Sequence, residues 1–297
     1  KKDLEKNRNI TINLREIVKH MPKKAHPMDV ARTVVSVMGL EDKEANSNSP
    51  TSNMKKTIRI FAKTPTAIAA FFRARKNKKI IPPKKGLGFS ENFFYMCFGK
   101  VPNKEIVKAF DVSLILYAEH SFNVSTFTAR TITSSLSDIH SAITGAIGSL
   151  KGPLHGGANE EVMHMMNKIK KPENALNWIN NALDNKDVVM GFGHRVYKKG
   201  DSRVPTMEKY FKKVSKIKND KKFIQIYDTV KNVMIERKGI HPNVDYPTGP
   251  TYHLMGFDTD FFTPIFVLSR ITGWSAHIME QHAANKLIRP LSKYSGE

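Results

Sequence analysis

One cysteine, Cys97, stands in a chain of 297 residues. A single thiol excludes an intrachain disulfide, so the fold must rest on packing, as suits a reducing compartment. No uninterrupted apolar run approaches the ~18 residues of a membrane span. The best candidate, residues 261–274, is broken by Pro264 and Arg270. No signal peptide is visible, and the chain opens Lys1-Lys2-Asp3 without a methionine. The expectation is a soluble cytoplasmic protein without membrane attachment, with a fragment lacking its natural start as an open alternative.

Acidic residues are also scarce: 27 Asp/Glu face 48 Lys/Arg, a net charge of +21. Residues 1–85 hold 21 Lys/Arg against 7 Asp/Glu, so most of the excess sits in the first third. Between Arg73 and Lys85 there are seven basic residues, no acidic one and no aromatic to stack a base. The run reads as a solvated lysine-rich surface, or as a field that attracts an anionic substrate such as a CoA ester. Nucleic acid is set aside as the main partner; a basic helical nucleic-acid-binding protein remains the rival of another class.

Strand hairpins and fixed-period repeats are missing, and apolar residues recur at helical spacing instead. Ile106 to His120 places Ile106, Val107, Phe110, Leu114 and Tyr117 on one face. Phe223 to Lys238 repeats the pattern and stops at Gly239, a helix C-terminal signal. Asp29 is expected to cap a helix running to Gly39, and Thr263-Pro264 to open one reaching Asn285. The Ser/Thr/Ala/Gly-rich stretch Thr131 to Leu150 predicts a helix packed closely on a neighbour. Residues 41–53 and 80–89 read as connectors. The fold class is therefore all-α, and a core of ordinary size is within reach of 40% hydrophobic residues.

Several chemistries lack their residues. There is no Gly-x-Ser-x-Gly elbow and no phosphate-binding Gly-x4-Gly-Lys-Ser/Thr loop. No zinc site is expected: His277 and His282 are five apart and roughly 140° apart on a helix. Three segments do combine glycines with titratable groups. In Gly152 to Glu160, His155 precedes a helix whose positive end favours a neutral imidazole. In Gly191 to Tyr197, a Gly-Phe-Gly run offers backbone N–H groups to a cofactor beside His194, a candidate general acid. Further on, Arg203 suits a two-pronged carboxylate pair. The turn-prone run from His241 to Pro247 supplies a carboxylate base, Asp245. Taken singly, each histidine is more often structural than catalytic; specificity lies in the three together.

Gly152–Glu161, Gly191–Arg203 and Pro242–Asp245 resemble, in order, the signature segments of the citrate synthase family. Support comes from Tyr117-Ala118-Glu119-His120, Asn123-Val124-Ser125-Thr126, Ser269 to Trp274 and Leu287-Ile288-Arg289-Pro290, and the match runs from His26 onward. The resemblance implies an all-helical homodimer. Its large domain would be discontinuous, at 1–156 and 251–297, with a small domain at 157–250 that closes over the substrates. It assigns Asp245 as base, His155 as hydrogen-bond donor to the thioester oxygen and His194 as donor to the oxaloacetate ketone. His120, Arg203 and Arg270 would bind oxaloacetate, with Arg289 from the partner subunit. Val189, Met190, Gly191, Phe192, Gly193 and Asn243 would line the CoA site, with Arg195 and Lys198 near its phosphates. No metal and no permanently bound cofactor are implied; acyl-CoA enters as a substrate. The family's Tyr-Arg-Gly segment, and the tens of residues around it, have no counterpart before Lys1. The wording of the motifs resembles the branch shared by 2-methylcitrate synthases and short bacterial citrate synthases, with propionyl-CoA slightly preferred over acetyl-CoA.

Overall fold

The computed structural model describes residues 2–152, 154–194, 196–197 and 199–296. Among them no strand forms, and the one isolated bridge pairs Phe192 with Pro242. The helices, in order, are α1 (Lys2–Lys6), α2 (Ile12–His20), α3 (Pro27–Glu41), α4 (Pro50–Ala74), α5 (Phe89–Phe98), α6 (Lys104–Tyr117), α7 (Val124–Ser134) and α8 (Ile139–Leu150). They continue as α9 (Ala158–Ile169), α10 (Ala175–Asp184), α11 (Val204–Ile217), α12 (Lys222–Lys238), α13 (Asp245–Met255) and α14 (Phe262–Ala283).

Helix α14 organises the core. It is apolar on nearly every side, from Ile265 and Phe266 through Ile271 and Trp274 to Ile278, and such a helix belongs inside. It packs on α3, α4, α6, α7 and α8. Between α9 and α13, α10 packs on α12 and α11 on α13, while α11 also packs on α6 and α9 meets both α13 and α14. Phe257, just past the left-handed cap Gly256, lies 5.1–5.8 Å from the rings of Phe93, Phe94, Phe98 and Phe110. Of these, the buried rings of Phe93, Phe94, Phe110 and Phe257 each contribute about 1.5–3 kcal/mol by leaving water.

Most helical expectations hold, with boundary shifts. Gly239 ends α12 in the left-handed conformation at φ 65°, as its position predicted. Three expectations need correction. The α3 cap is His26, whose ring accepts from the Met28 N–H, while Asp29 lies inside the first turn. Residues 131–150 form not one helix but parts of two, because Leu136 takes φ 65° and Asp138 starts α8 by accepting from His140 and Ser141. The close packing foreseen there is the α7–α8 contact itself: a Cβ on Gly145 would stand 2.2 Å from Ile132 Cδ1. The connector after α3 is shorter than 41–53, since Ser49 caps α4 and Asn53 is buried within it. Lys56, on α4 and fully buried, holds that connector by donating to the carbonyls of Ala45 and Ser47.

The basic run 73–85 is partly spent inside the fold. Arg73 donates to the carbonyls of Lys79 and Cys97, Arg75 pairs with Asp260 at 2.6 Å, and Lys76 pairs with Asp258 at 2.5 Å. That is the behaviour of a structural surface rather than of a free cationic patch. No helix among the described residues is long and apolar enough to cross a membrane.

Candidate active site

Asp245 is the first residue of α13 rather than part of an open turn, and the Asn243 side chain accepts from its N–H at 3.1 Å. Burial pushes its carboxyl up to about 6 against the pull of Tyr117 and Arg203. The Tyr117 hydroxyl, at the end of α6, donates to its Oδ1. The Asp245 carboxyl therefore ionises just below neutrality, in the range suited to proton transfer at that pH.

His155 sits in the turn before α9, and the Ser125 N–H at the start of α7 donates to its Nε2 at 3.3 Å. The Ser125 hydroxyl lies 2.9 Å from the same nitrogen and receives the Trp274 indole N–H at 3.1 Å. An accepting Nε2 leaves Nδ1 as the protonated nitrogen of a neutral ring. The neutral form was expected, but its cause differs: burial first and the Arg270 charge second bring the imidazole down to about 4. His194 is arranged the other way round. The N–H groups of Val196 and Tyr197 converge on its Nδ1 at 3.0 and 3.3 Å, leaving Nε2–H as the donor. Burial and Arg203 lower its pKa as well. His120 meets this ring edge-on with centroids 5.0 Å apart, and its Nε2 stands 3.2 Å from the Tyr197 hydroxyl. Burial and Arg203 bring His120 to about 4.

The two arginines face this group. Arg270, on α14, is 2% exposed, donates through Nε to the Tyr117 carbonyl at 2.6 Å, and has no ion pair among the described residues. Burial and the nearby Arg203 charge lower it to about 10. A buried guanidinium without a carboxylate is costly, and the arrangement calls for an anionic ligand. Arg203 was expected to fork onto a substrate carboxylate. One edge of its fork is already taken by Asp201, so only its remaining N–H groups are available. Asp201, Tyr117, Ser125 and Tyr197 escaped the sequence reading as site residues. Tyr117, Ser125 and Tyr197 matter through partners far along the chain, and Asp201 through both its neighbour Arg203 and the distant Val244 N–H.

The glycine run is built by constraint. Gly191 has φ 86°, and a Cβ there would stand 2.6 Å from Val162 and 2.9 Å from Tyr246. Its carbonyl accepts from the Asn243 N–H, and the Asn243 side chain donates to the Gly193 carbonyl at 3.0 Å. The Gly193 N–H goes to the His241 carbonyl and so is not free for a ligand. Phe192 packs on Tyr246 at 4.4 Å, Val189 is buried, and Met190 is half-buried beside them. Arg195 and Lys198 lie outside the described residues. Arg289 is exposed in the tail after α14, and no hydrogen bond or ion pair ties it to this site among the described residues. His277 and His282 serve different partners, Glu119 and Arg130 for one, Asn53 and Ser137 for the other. No metal-holding cluster occurs among the described residues.

A near-neutral carboxylate, two oppositely protonated neutral imidazoles and a buried unpaired arginine define an all-helical proton-transfer enzyme for an anionic substrate. Residues 1–291 match the family described as citrate synthase, C-terminal domain. A 2-methylcitrate synthase of Corynebacterium glutamicum is 53% identical over 295 residues, covering 98% of this chain and 77% of that one. A citrate synthase of Mycolicibacterium smegmatis is 51% identical over 291 residues, covering 98% and 78%. Among solved structures, a citrate synthase of Thermoplasma acidophilum in ternary complex with carboxymethyl coenzyme A and oxaloacetate aligns with TM-score 0.93 at 30% identity, covering all of this chain and 80% of that one. The chain belongs to the citrate synthase family.

Proposed function

We propose that this acyltransferase condenses an acyl-CoA with oxaloacetate and then hydrolyses the thioester. Propionyl-CoA would give 2-methylcitrate and acetyl-CoA citrate. The observation that carries this reading is Arg270, a buried cation without a carboxylate beside a carboxylate held near neutrality. Oxaloacetate brings two carboxylates and a ketone to such a site. His120, Arg203 and Arg270 hold it, with Arg289 of the partner subunit completing the pocket of a homodimer.

Asp245 takes the proton from the carbon beside the thioester carbonyl. That proton is weakly acidic, so the developing enolate needs a donor in place as it forms. His155 fills the role through Nδ1–H: its depressed pKa keeps it neutral, and Ser125 fixes the tautomer. The enol carbon attacks the ketone of oxaloacetate, and His194 gives its Nε2 proton to the new alkoxide. Water then cleaves the thioester, releasing CoA. A neutral donor is weaker than a charged acid but is not itself deprotonated by a base of pKa about 6.

Residues 157–250 would form the small domain closing on the rest; the division at 250 falls inside α13, so that helix would carry the hinge side of Asp245. The packing of α10 on α12 and of α11 on α13 supports this division, and the α11–α6 and α9–α14 contacts would lie on its border. Val189 to Gly193 and Asn243 would line the CoA site with Arg195 and Lys198 near its phosphates, and acyl-CoA would be a substrate rather than a resident cofactor. One methylene is worth ~1–3 kcal/mol in an apolar pocket, so both acyl-CoAs should react, with propionyl-CoA slightly preferred. The test is thiol release from acetyl-CoA and propionyl-CoA, with and without oxaloacetate, on wild type and Asp245→Ala. Release that ignores oxaloacetate would sink the condensation; equal rates in the two proteins would remove Asp245 as base.

A further inference from the structure

Tyr117 ends α6 with both of its polar groups turned to the site. Its hydroxyl donates to Asp245 Oδ1 and its carbonyl receives Arg270 Nε at 2.6 Å. The ring is buried against Phe266, centroids 4.1 Å apart, so the phenol has little freedom to turn away. Asn159, fully buried in the first turn of α9, donates to the phenol oxygen at 3.5 Å. Thr248 on α13 is a further hydrogen-bond partner of this phenol, whose own proton goes to the carboxylate. The relay thus starts on the helix that follows His155 and ends on the helix that begins with Asp245.

We propose that Tyr117 is a positioning residue that orients the Asp245 carboxylate through its hydroxyl and Arg270 through its carbonyl, coupling the proton-abstracting group to the anion-binding arginine. The inference rests on the reading of Asp245 as base. Among the described residues, the titratable groups that act on that carboxylate include Arg203 and Asp201 before α11, Arg270 on α14, and the phenols of Tyr117 on α6 and Tyr252 on α13. Of these, only Tyr117 hydrogen-bonds the carboxylate by its side chain among the described residues. Burial keeps the phenol protonated, so it acts as a donor throughout the working range.

Tyr117→Phe removes the hydroxyl and keeps both the ring and the carbonyl. The acid limb of kcat/KM for acyl-CoA should move up by about one pH unit, since a hydrogen bond to the charged form is lost. At neutral pH kcat should fall several-fold, while KM for oxaloacetate stays within a factor of about two because Arg270 keeps its acceptor. Replacement by 3-fluorotyrosine, a stronger donor of nearly the same shape, should move the limb down instead, a response that a purely packing role would not produce. The fluorinated protein decides the matter if the Phe variant fails to fold. An unmoved limb in both proteins, with Asp245→Asn inactive, would overturn the role of Tyr117 alone. An active Asp245→Asn would instead remove the base, and the inference with it.

Discussion

Asp201 grips Arg203 by both oxygens, Oδ1 receiving Nε at 2.9 Å and Oδ2 receiving Nη2 at 2.8 Å. Oδ2 also accepts the Val244 N–H at 3.0 Å, one residue before Asp245. The Asp201 side chain is wholly buried and the guanidinium nearly so, which makes the pair expensive to break from one side. Asp201→Ala should cost about 3–5 kcal/mol by stranding a buried cation. Asp201→Asn should cost less and raise KM for oxaloacetate at least tenfold. Urea unfolding and steady-state kinetics check the two parts.

The acid limb of the wild type should centre on pH about 6. Asp245 titrates there, whereas His155 and His120 stay neutral down to about 4; His194, its pKa lowered by burial and Arg203, is separated from it by repeating the profile on His194→Gln, where the limb should stay. Activity is present when Asp245 is ionised and lost as pH falls through that value. A limb centred near 4 would assign proton abstraction elsewhere.

The same carboxylate should weaken the fold it serves. Its folded pKa lies above the unfolded value, so its ionisation destabilises the native state at neutral pH, and the penalty fades as pH falls through about 6 toward the unfolded value. Asp245→Asn should therefore unfold at higher temperature than wild type at pH 7.5, by about 1–3 kcal/mol of stability, while losing activity. The advantage should shrink at pH 5. Matched thermal melts at the two pH values decide it.

His155 carries the opposite linkage. Its folded pKa lies below the unfolded one, so the stability it supplies is complete above about 6.5 and lost as pH falls toward 4. His155→Gln should flatten that decline and lower kcat by about 100- to 10,000-fold. A decline of unchanged slope would place the acid sensitivity in other groups.

Gly191 admits no side chain. Its positive φ and the contacts that await a Cβ predict that Gly191→Ala costs about 1–3 kcal/mol and raises KM for acyl-CoA. An unchanged KM would detach this turn from the CoA site.

How much of this could be read in the chain varies with the range of the interaction. The α12 stop at Gly239 was legible because a left-handed residue after an apolar stripe is a local signal. His155, His194 and Asp245 stood out because each lies among glycines or turn residues that packing alone does not need. Tyr117 did not stand out. It falls on the apolar stripe of α6, and nothing at that position announces an acceptor 128 residues away. The break at Leu136 was hidden for a different reason: neither glycine nor proline marks it, and Asp138 looks like one more polar residue in a Ser/Thr-rich run. His26 displaced Asp29 as the α3 cap because an imidazole ring can accept as an aspartate does, and Pro27 already sets the first turn.

Lys56 offers a different use of this lysine-rich chain. An amine with no solvent exposure, anchored on two carbonyls and with its pKa lowered by burial, cannot meet an acylating reagent while the fold stands. Most of the other lysines are surface groups that such a reagent reaches at once. Timed labelling read by mass would then carry a built-in clock: modification at Lys56 would count openings of the connector ahead of α4, without any engineered probe.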